Sequence, residues 1–345
     1  MSPAPTTMMR ASLYYGAGDV RPVEQPVPEI GPAEVLVQVN ACGICGSDTM
    51  AWYRDPNAKK QGGINTGHEI TGEIVQVGEK IRERFQVGQR VIVTHHFPCL
   101  KCDRCLAGEE TTCSTMHAKH IAPGGFAQFV RVFETGLDLG LYPLPEGMSF
   151  EAGTFVEPLG CVVRSMRKSA PIAGRSVLVI GSGLAGLLHI RLAKAMGAGR
   201  IIAVDTNQAR LDAAVASGAD EGVISSAELP KADNVYLCTG APPAALAALN
   251  AVNPGGCVMI FAADGPNKEL SIPMTRFWLE QQRLLFAYGA APRDMLEAID
   301  WIASGRVRVD DLVTHRFTLD QIGEAFDLAT HPRDMSLKVL VEPQR

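Results

Sequence analysis

The stretch from Ser176 to Ala219 constrains the fold most. SVLVI (Ser176–Ile180) is a short apolar run that reads as a buried strand, and GSGLAGLLHIRLAKAMGA continues it at helical period. RIIAVD (Arg200–Asp205) is then a second strand and NQARLDAAVASGA a second helix. Strand, helix, strand and helix in succession predict a parallel, doubly wound α/β sheet. The turn between the first strand and first helix, Gly181-Ser182-Gly183-Leu184-Ala185-Gly186, spaces its glycines as a pyrophosphate-binding turn does. Gly181 permits the tight turn, Gly183 the approach of backbone N–H groups to phosphate, and Gly186 close helix–strand packing. Asp205 follows Gly186 by 19 residues, where a carboxylate accepts hydrogen bonds from an adenosine ribose and repels a 2′-phosphate. Thr206 and Asn207 bring no cation, so NAD is favoured over NADP; Arg210, a turn into the helix, is the one cation near the ribose site and also reads as a solvated side chain.

The remainder of the 345 residues differs in character. From Glu34 to Val93 the pattern is β, with VLVQVNACGICG, HEITGEIVQVG and VGQRVIV each broken by Gly, as in a partly open barrel. A Cys-dense lobe follows, extended segments resume through GGFAQFVRV (124–132), and the doubly wound unit begins near residue 160. It takes in VYLCTG, an Ala-rich helix and the strand CVMIFAA after the Pro254-Gly255-Gly256 turn. Beyond Pro292, DMLEAIDWIASGRV is an amphipathic helix, and THRFTLD to LKVLVEP returns to short strands around one helix. The expected division is 1–158 with a lobe at 95–115, then 159–294, with 295–345 rejoining the first domain.

Net charge is -5, from 37 acidic and 32 basic side chains, with no basic run to meet a nucleic acid. The longest apolar run, Cys257–Ala263, is far below the roughly 20 residues that cross a bilayer. Met1 to Arg10 lacks a signal-peptide pattern, so a cytoplasmic protein without a membrane or nucleic-acid partner is expected. Nine cysteines in a reducing compartment read first as metal ligands or reactive thiols.

Cys99, Cys102, Cys105 and Cys113, separated by two, two and seven residues, supply four thiolates, enough to enclose one tetrahedral Zn²⁺ with no open position. An iron–sulfur cluster is the competing occupant. A second, dispersed set is Cys45 in GICGSD, His68-Glu69 in TGHEI and Glu157 in FVEPLG. One thiolate, one imidazole and one carboxylate leave a fourth position for water or a substrate oxygen, as a catalytic zinc requires. Spacing alone does not join these residues.

CGICGSD, GHE, the four-cysteine lobe, EPLGC and VLVIGSGLAG, in that order, resemble the zinc-dependent medium-chain dehydrogenases from about Val35 to Val341. Glu157 and DLVTHRFTLDQIGEAF (311–326) make the chain most similar to the polyol branch containing sorbitol dehydrogenase. The resemblance implies a GroES-like, partly open β-barrel catalytic domain and a Rossmann coenzyme domain. It implies two zinc ions per chain, one structural in the Cys lobe and one catalytic on Cys45, His68 and Glu157. Glu69 becomes a carboxylate that approaches the metal during ligand exchange, Ser47 the hydroxyl that takes the substrate proton, and Asp48 the carboxylate orienting His68. Cys161, four residues after Glu157, is the alternative ligand. The family commonly has a histidine where this chain has Met50, and the sorbitol enzymes an Arg-Tyr pair where it has Ala287-Tyr288. Trp52, Tyr53, His96, Phe97, His117 and Tyr288 are substrate-pocket candidates; His95, His120, His315 and His331 read as ordinary structural histidines.

The expected activity is NAD-dependent interconversion of a secondary alcohol, a polyol or sugar-derived compound, and its ketone by hydride transfer. Two rivals stand: an amino-alcohol enzyme resembling threonine dehydrogenase, and a non-enzymatic NAD-binding protein that kept the fold. The resemblance also implies a homodimer or homotetramer joined edge to edge through coenzyme domains.

Overall fold

The apolar runs that alternate with helices pair into a six-stranded, all-parallel sheet in the computed structural model, which describes residues 7–54, 57–226, 228–262, 265–266, 268–333 and 335–345. The strands lie in the order Glu221–Ile224, Arg200–Asp205, Ser176–Ile180, Ala232–Leu237, Val252–Ile260 and Arg283–Phe286. Numbered along the chain that order is 3-2-1-4-5-6, the doubly wound arrangement of dinucleotide-binding folds. Val177 to Ile180 are almost wholly enclosed, as expected of a parallel strand covered on both faces. Helices Leu184–Ala195 and Gln208–Ala216 pack on the first two strands. The Asn207 side chain caps the second of these helices by accepting from the N–H groups of Ala209 and Arg210.

One strand differs from the sequence expectation. It begins at Val252 and runs through Pro254-Gly255-Gly256 rather than starting after them, and it ends at Ile260. A register irregularity opposite Ala232 and Asn234 absorbs the proline, which has no N–H to give to a regular ladder. This sheet belongs to a unit formed by Leu159–Ala290 and Ser304–Arg308.

The other unit comprises Met1–Pro158, Ala291–Ala303 and Val309–Arg345. Its main sheet runs Val313–Phe317, Lys338–Val341, Val35–Gly43, Glu69–Val77, Arg90–Val93 and Leu141–Pro143, with Phe129–Val132 also paired to Val35–Gly43. The Gly-broken runs of the sequence are these central strands, and their apolar faces, Val35, Val37, Val39, Ile70, Ile74, Val91 and Val93 among them, form one core. The segment read as extended from Gly124 is a strand only over Phe129–Val132. An N-terminal hairpin, Met8–Gly16 with Asp19–Pro26, is an element that the apolar patterning does not announce.

The last strand ties the C-terminus to the centre of this sheet. Lys338–Val341 pairs antiparallel with the end of Val35–Gly43, Leu340 opposite Gly43, while Glu69 faces Gly43 from the other side. Residues 1–6 of the Met1–Arg10 segment, and Ala263 at the end of the apolar run from Cys257, lie outside the described residues. No helix among the described residues is long and apolar enough to cross a membrane.

Candidate metal and coenzyme sites

The Cys lobe closes on itself through two short helical turns, Asp103–Leu106 and Glu110–Thr112. Its sulfurs lie close together: 3.5 Å between Cys102 and Cys105, 3.8 Å between Cys102 and Cys113, and 3.6 Å between Cys113 and Cys99. Thiolates about 2.3 Å from a tetrahedral zinc stand about 3.8 Å apart, so the donor set fits that ion. All nine cysteines are free thiols. The Cys99 N–H and the Thr115 hydroxyl draw the Cys113 thiol down to about 6, whereas burial pushes Cys105 up to about 12. A cation at the centre is what would turn the whole set into thiolates together.

The second group is built by strand pairing. Val35–Gly43 runs into Ile44 and Cys45, which precedes the short helix Gly46–Thr49, while Glu69–Val77 starts directly after His68. The Gly43–Glu69 register therefore brings two sequence-distant segments side by side. One ligand atom each of Cys45, His68 and Glu69 lies within 4.8 Å of the others. Asp48 is fully buried behind them; it accepts from the Cys45 N–H at 3.0 Å, pairs with Arg54, and stands 3.5 Å from His68 Nδ1. That contact engages one imidazole nitrogen and leaves the other for a metal. Burial works against the Asp48 charge, yet His68, Arg54 and the Cys45 N–H together hold its carboxyl below the ordinary range.

Glu157 sits in the first turn of helix Val156–Lys168, half-buried and outside the Cys45–His68–Glu69 group. Cys161 lies one turn further along the same helix. Ser47 is on the helix after Cys45, its carbonyl accepting from Arg54 Nε at 3.1 Å.

Three features have no clear signature in the sequence. Lys338 forms a buried ion pair with Glu69, both side chains almost fully enclosed (0% and 1% exposed), and its ammonium lies 5.3 Å from the Phe155 ring centre. Gly43 leaves the space for this pair, since any Cβ there would collide with both partners. Arg54 pairs with Asp48. His95 stacks on His68 at 4.6 Å and on His96 at 3.4 Å, and His96 in turn meets His117, the ring nitrogens 3.2 Å apart. Only adjacency in the chain hints at any of these, through the His95-His96 pair.

Of the pocket candidates, His96 and His117 lie together beside His95, and the others have separate surroundings. Phe97 is core, stacked on His120 at 3.7 Å. Trp52 is 44% exposed and packs edge-on against Tyr53. Tyr288 belongs to the other unit. In that unit the Gly-rich turn follows strand Ser176–Ile180, whose neighbours are the second and fourth strands, the point where the strand order reverses. Gly181 has φ 97°, and Gly186 packs so close to the Gly181 carbonyl that a side chain has no room. Gly183 precedes helix Leu184–Ala195 with open space around it. Asp205 is held by two backbone donors, Ser182 N–H at 2.8 Å and Asn207 N–H at 3.0 Å, while Arg210 is half-buried on the following helix.

Two measurements test this geometry. Lys338→Met leaves Glu69 a buried carboxylate without its cation, so the chelated protein should lose about 3–5 kcal/mol in urea unfolding, most of it recovered by adding Glu69→Gln. Burial alone would lower His68, but Asp48 and Cys45 outweigh it and hold the metal-free imidazole well above 6.5. A raised folded value gives stabilisation that is complete below pH 6.5 and lost as pH climbs through that folded value. The chelated protein should thus melt at falling temperature as pH is raised above neutrality, and His68→Gln should flatten that slope.

Residues 31–146 match the alcohol dehydrogenase GroES-like domain and residues 185–304 the zinc-binding dehydrogenase domain. The chain is 31% identical to the sorbitol dehydrogenase of Ovis aries, over 96% of this chain and 95% of that one. Two solved structures each superpose with a TM-score of 0.84 at 26% identity. One is (2R,3R)-butanediol dehydrogenase of Bacillus subtilis, covering 97% of this chain and 99% of that one. The other is a zinc-binding dehydrogenase of Sinorhizobium meliloti bound to NADP, covering 98% and 100%. Two domain models in the right order and a full-length relative above 30% identity fix the kinship: this chain belongs to the zinc-dependent medium-chain alcohol dehydrogenases, in their polyol dehydrogenase branch.

Proposed function

We propose that the chain interconverts a neutral polyol and its ketone, using NAD and two zinc ions per chain. The observation that carries this is the convergence of Cys45, His68 and Glu69 donors within 4.8 Å, on a fold that also holds a closed four-thiolate lobe. Zinc at the first group supplies Lewis acidity toward the substrate hydroxyl, and NAD supplies the hydride acceptor. Cys45 and His68 would hold the metal with Glu69, which shares their place, as third donor, and Glu157, the third ligand expected from the resemblance, would take the exchanging role there given to Glu69. Asp48 would fix the His68 ring, and the Ser47 hydroxyl would accept the substrate's proton while passing its own to solvent. Around the coenzyme, the 181–186 turn offers backbone N–H groups to the pyrophosphate. Asp205 accepts from the ribose hydroxyls and disfavours a 2′-phosphate, supporting NAD although one structural relative is bound to NADP. Nine cysteines, none of them in a disulfide, suit a reducing cytosol.

NAD⁺ reduction over a panel of polyols, sugar acids, simple secondary alcohols and L-threonine, with zinc counted in the same preparation, decides the reading. Two zinc ions per chain and chelator-sensitive turnover on polyols are expected, and Cys45→Ala should keep one zinc and reduce turnover to background. One zinc in the unaltered protein, or turnover confined to L-threonine, overturns it.

A second copy is the partner we assign to strand Arg283–Phe286. Among the described residues it is the last strand of the parallel sheet and pairs on one side, and its own Phe286, like Trp278 and Leu279 just before it in the chain, is more than 60% exposed. An open edge flanked by apolar side chains is a ready surface for edge-to-edge pairing. Phe286→Asp should convert a dimer, or a tetramer built from it, toward monomer in size-exclusion chromatography with light scattering, at unchanged zinc content.

A further inference from the structure

Met50 leaves a gap in the sequence pattern, and the chain just beyond it folds back toward the metal group. The Arg54 N–H donates to the Met50 carbonyl at 3.1 Å, closing a turn that returns the Arg54 side chain to helix Gly46–Thr49. There its guanidinium spans two neighbours: Nε donates to the Ser47 carbonyl at 3.1 Å and Nη2 to Asp48 Oδ1. Arg54 is 15% exposed and Asp48 not at all. The other Asp48 oxygen takes the Cys45 N–H, and Oδ1 also faces His68 Nδ1. Among the described residues, Arg54 and His68 are the basic side chains paired with Asp48.

We propose that Arg54 is a positioning residue of the catalytic metal, its guanidinium fork holding the Asp48 carboxylate and Ser47 carbonyl so that Cys45 and His68 are presented together. This rests on the reading of Cys45, His68 and Glu69 as a metal group. Asp48 contacts both the Cys45 backbone and the His68 ring, so displacement of its carboxylate moves two donors at once. A carboxylate enclosed this completely needs a countercharge, and one arginine supplies both that charge and a second anchor on the backbone. Lysine, a point charge on a flexible stem, cannot span both acceptors in one planar contact. Residues that orient metal ligands typically change affinity about 10- to 100-fold when replaced.

The test uses full-length, zinc-loaded protein. Zinc is titrated out with a competing chromogenic chelator, and the Cys-lobe zinc serves as an internal control for folding. Arg54→Met should weaken the catalytic zinc by about 100-fold and leave the lobe zinc unchanged, whereas Arg54→Lys should weaken it by about 10-fold. Cobalt substituted at the catalytic group should show an altered visible spectrum in both variants. If Arg54→Met fails to keep its lobe zinc, Arg54→Lys decides: unaltered affinity and spectrum overturn the proposal. Wild-type affinity in both variants, with Asp48→Asn weakened, overturns it as well. A single zinc in the unaltered protein would instead sink the metal reading beneath it.

Discussion

The pairing of Gly43 between Glu69 and Leu340 is the constraint on which the catalytic unit depends. Three strands from the first, second and last parts of that unit's chain meet at this point. The ladder supplies directional backbone hydrogen bonds, and the alternation of side chains fixes the register, since a slip by one residue would turn each apolar face outward. Once the register is set, Cys45 lies beyond one strand end, His68 precedes the next, and Lys338 begins the third. The site is thus a consequence of sheet closure rather than of any loop finding its own conformation.

Charge is arranged around that point with the same economy. Two buried carboxylates, Asp48 and Glu69, lie next to a thiol and an imidazole, and each has a buried or nearly buried cation, Arg54 or Lys338. Enclosed carboxylates are costly without such partners, because the low-dielectric interior does not replace water. The cations come from different places. Arg54 is local, nine residues past Cys45, whereas Lys338 is delivered by the C-terminal strand. Returning the end of the chain to the first unit therefore completes the electrostatics of the site as well as the sheet. The coenzyme unit follows a different logic, in which covered parallel strands and one glycine-rich turn make the binding surface from backbone groups.

Much of the molecule is legible in the sequence because it is local. The strand–turn–helix carrying Gly181 to Gly186 is written in consecutive residues, and so is the four-cysteine lobe, whose spacing already limits how its thiolates can converge. The βα alternation announces a parallel sheet because burial on both faces demands uninterrupted apolar runs. Other features are not legible. The N-terminal hairpin pairs MMRASLYYG, which lacks clean alternation, with the polar, Pro-containing DVRPVEQP, and Pro254 conceals a strand that runs through it. Phe97 carries the composition of a pocket residue but is packed into core against His120.

The amino-acid sequence by itself determined the two fold types, the closed thiolate lobe, the phosphate turn with its acidic residue, and the presence of one thiolate, one imidazole and carboxylates suited to an open zinc site. Only the tertiary structure decided which of those donors share a place. It grouped Glu69 with Cys45 and His68, left Glu157 on a separate helix, and revealed Arg54 and Lys338 as the countercharges. The reason is range: capping, periodicity and ligand spacing act over a few residues and are written in order along the chain. A metal group assembled from strand ends exists only after non-local pairing has fixed the register.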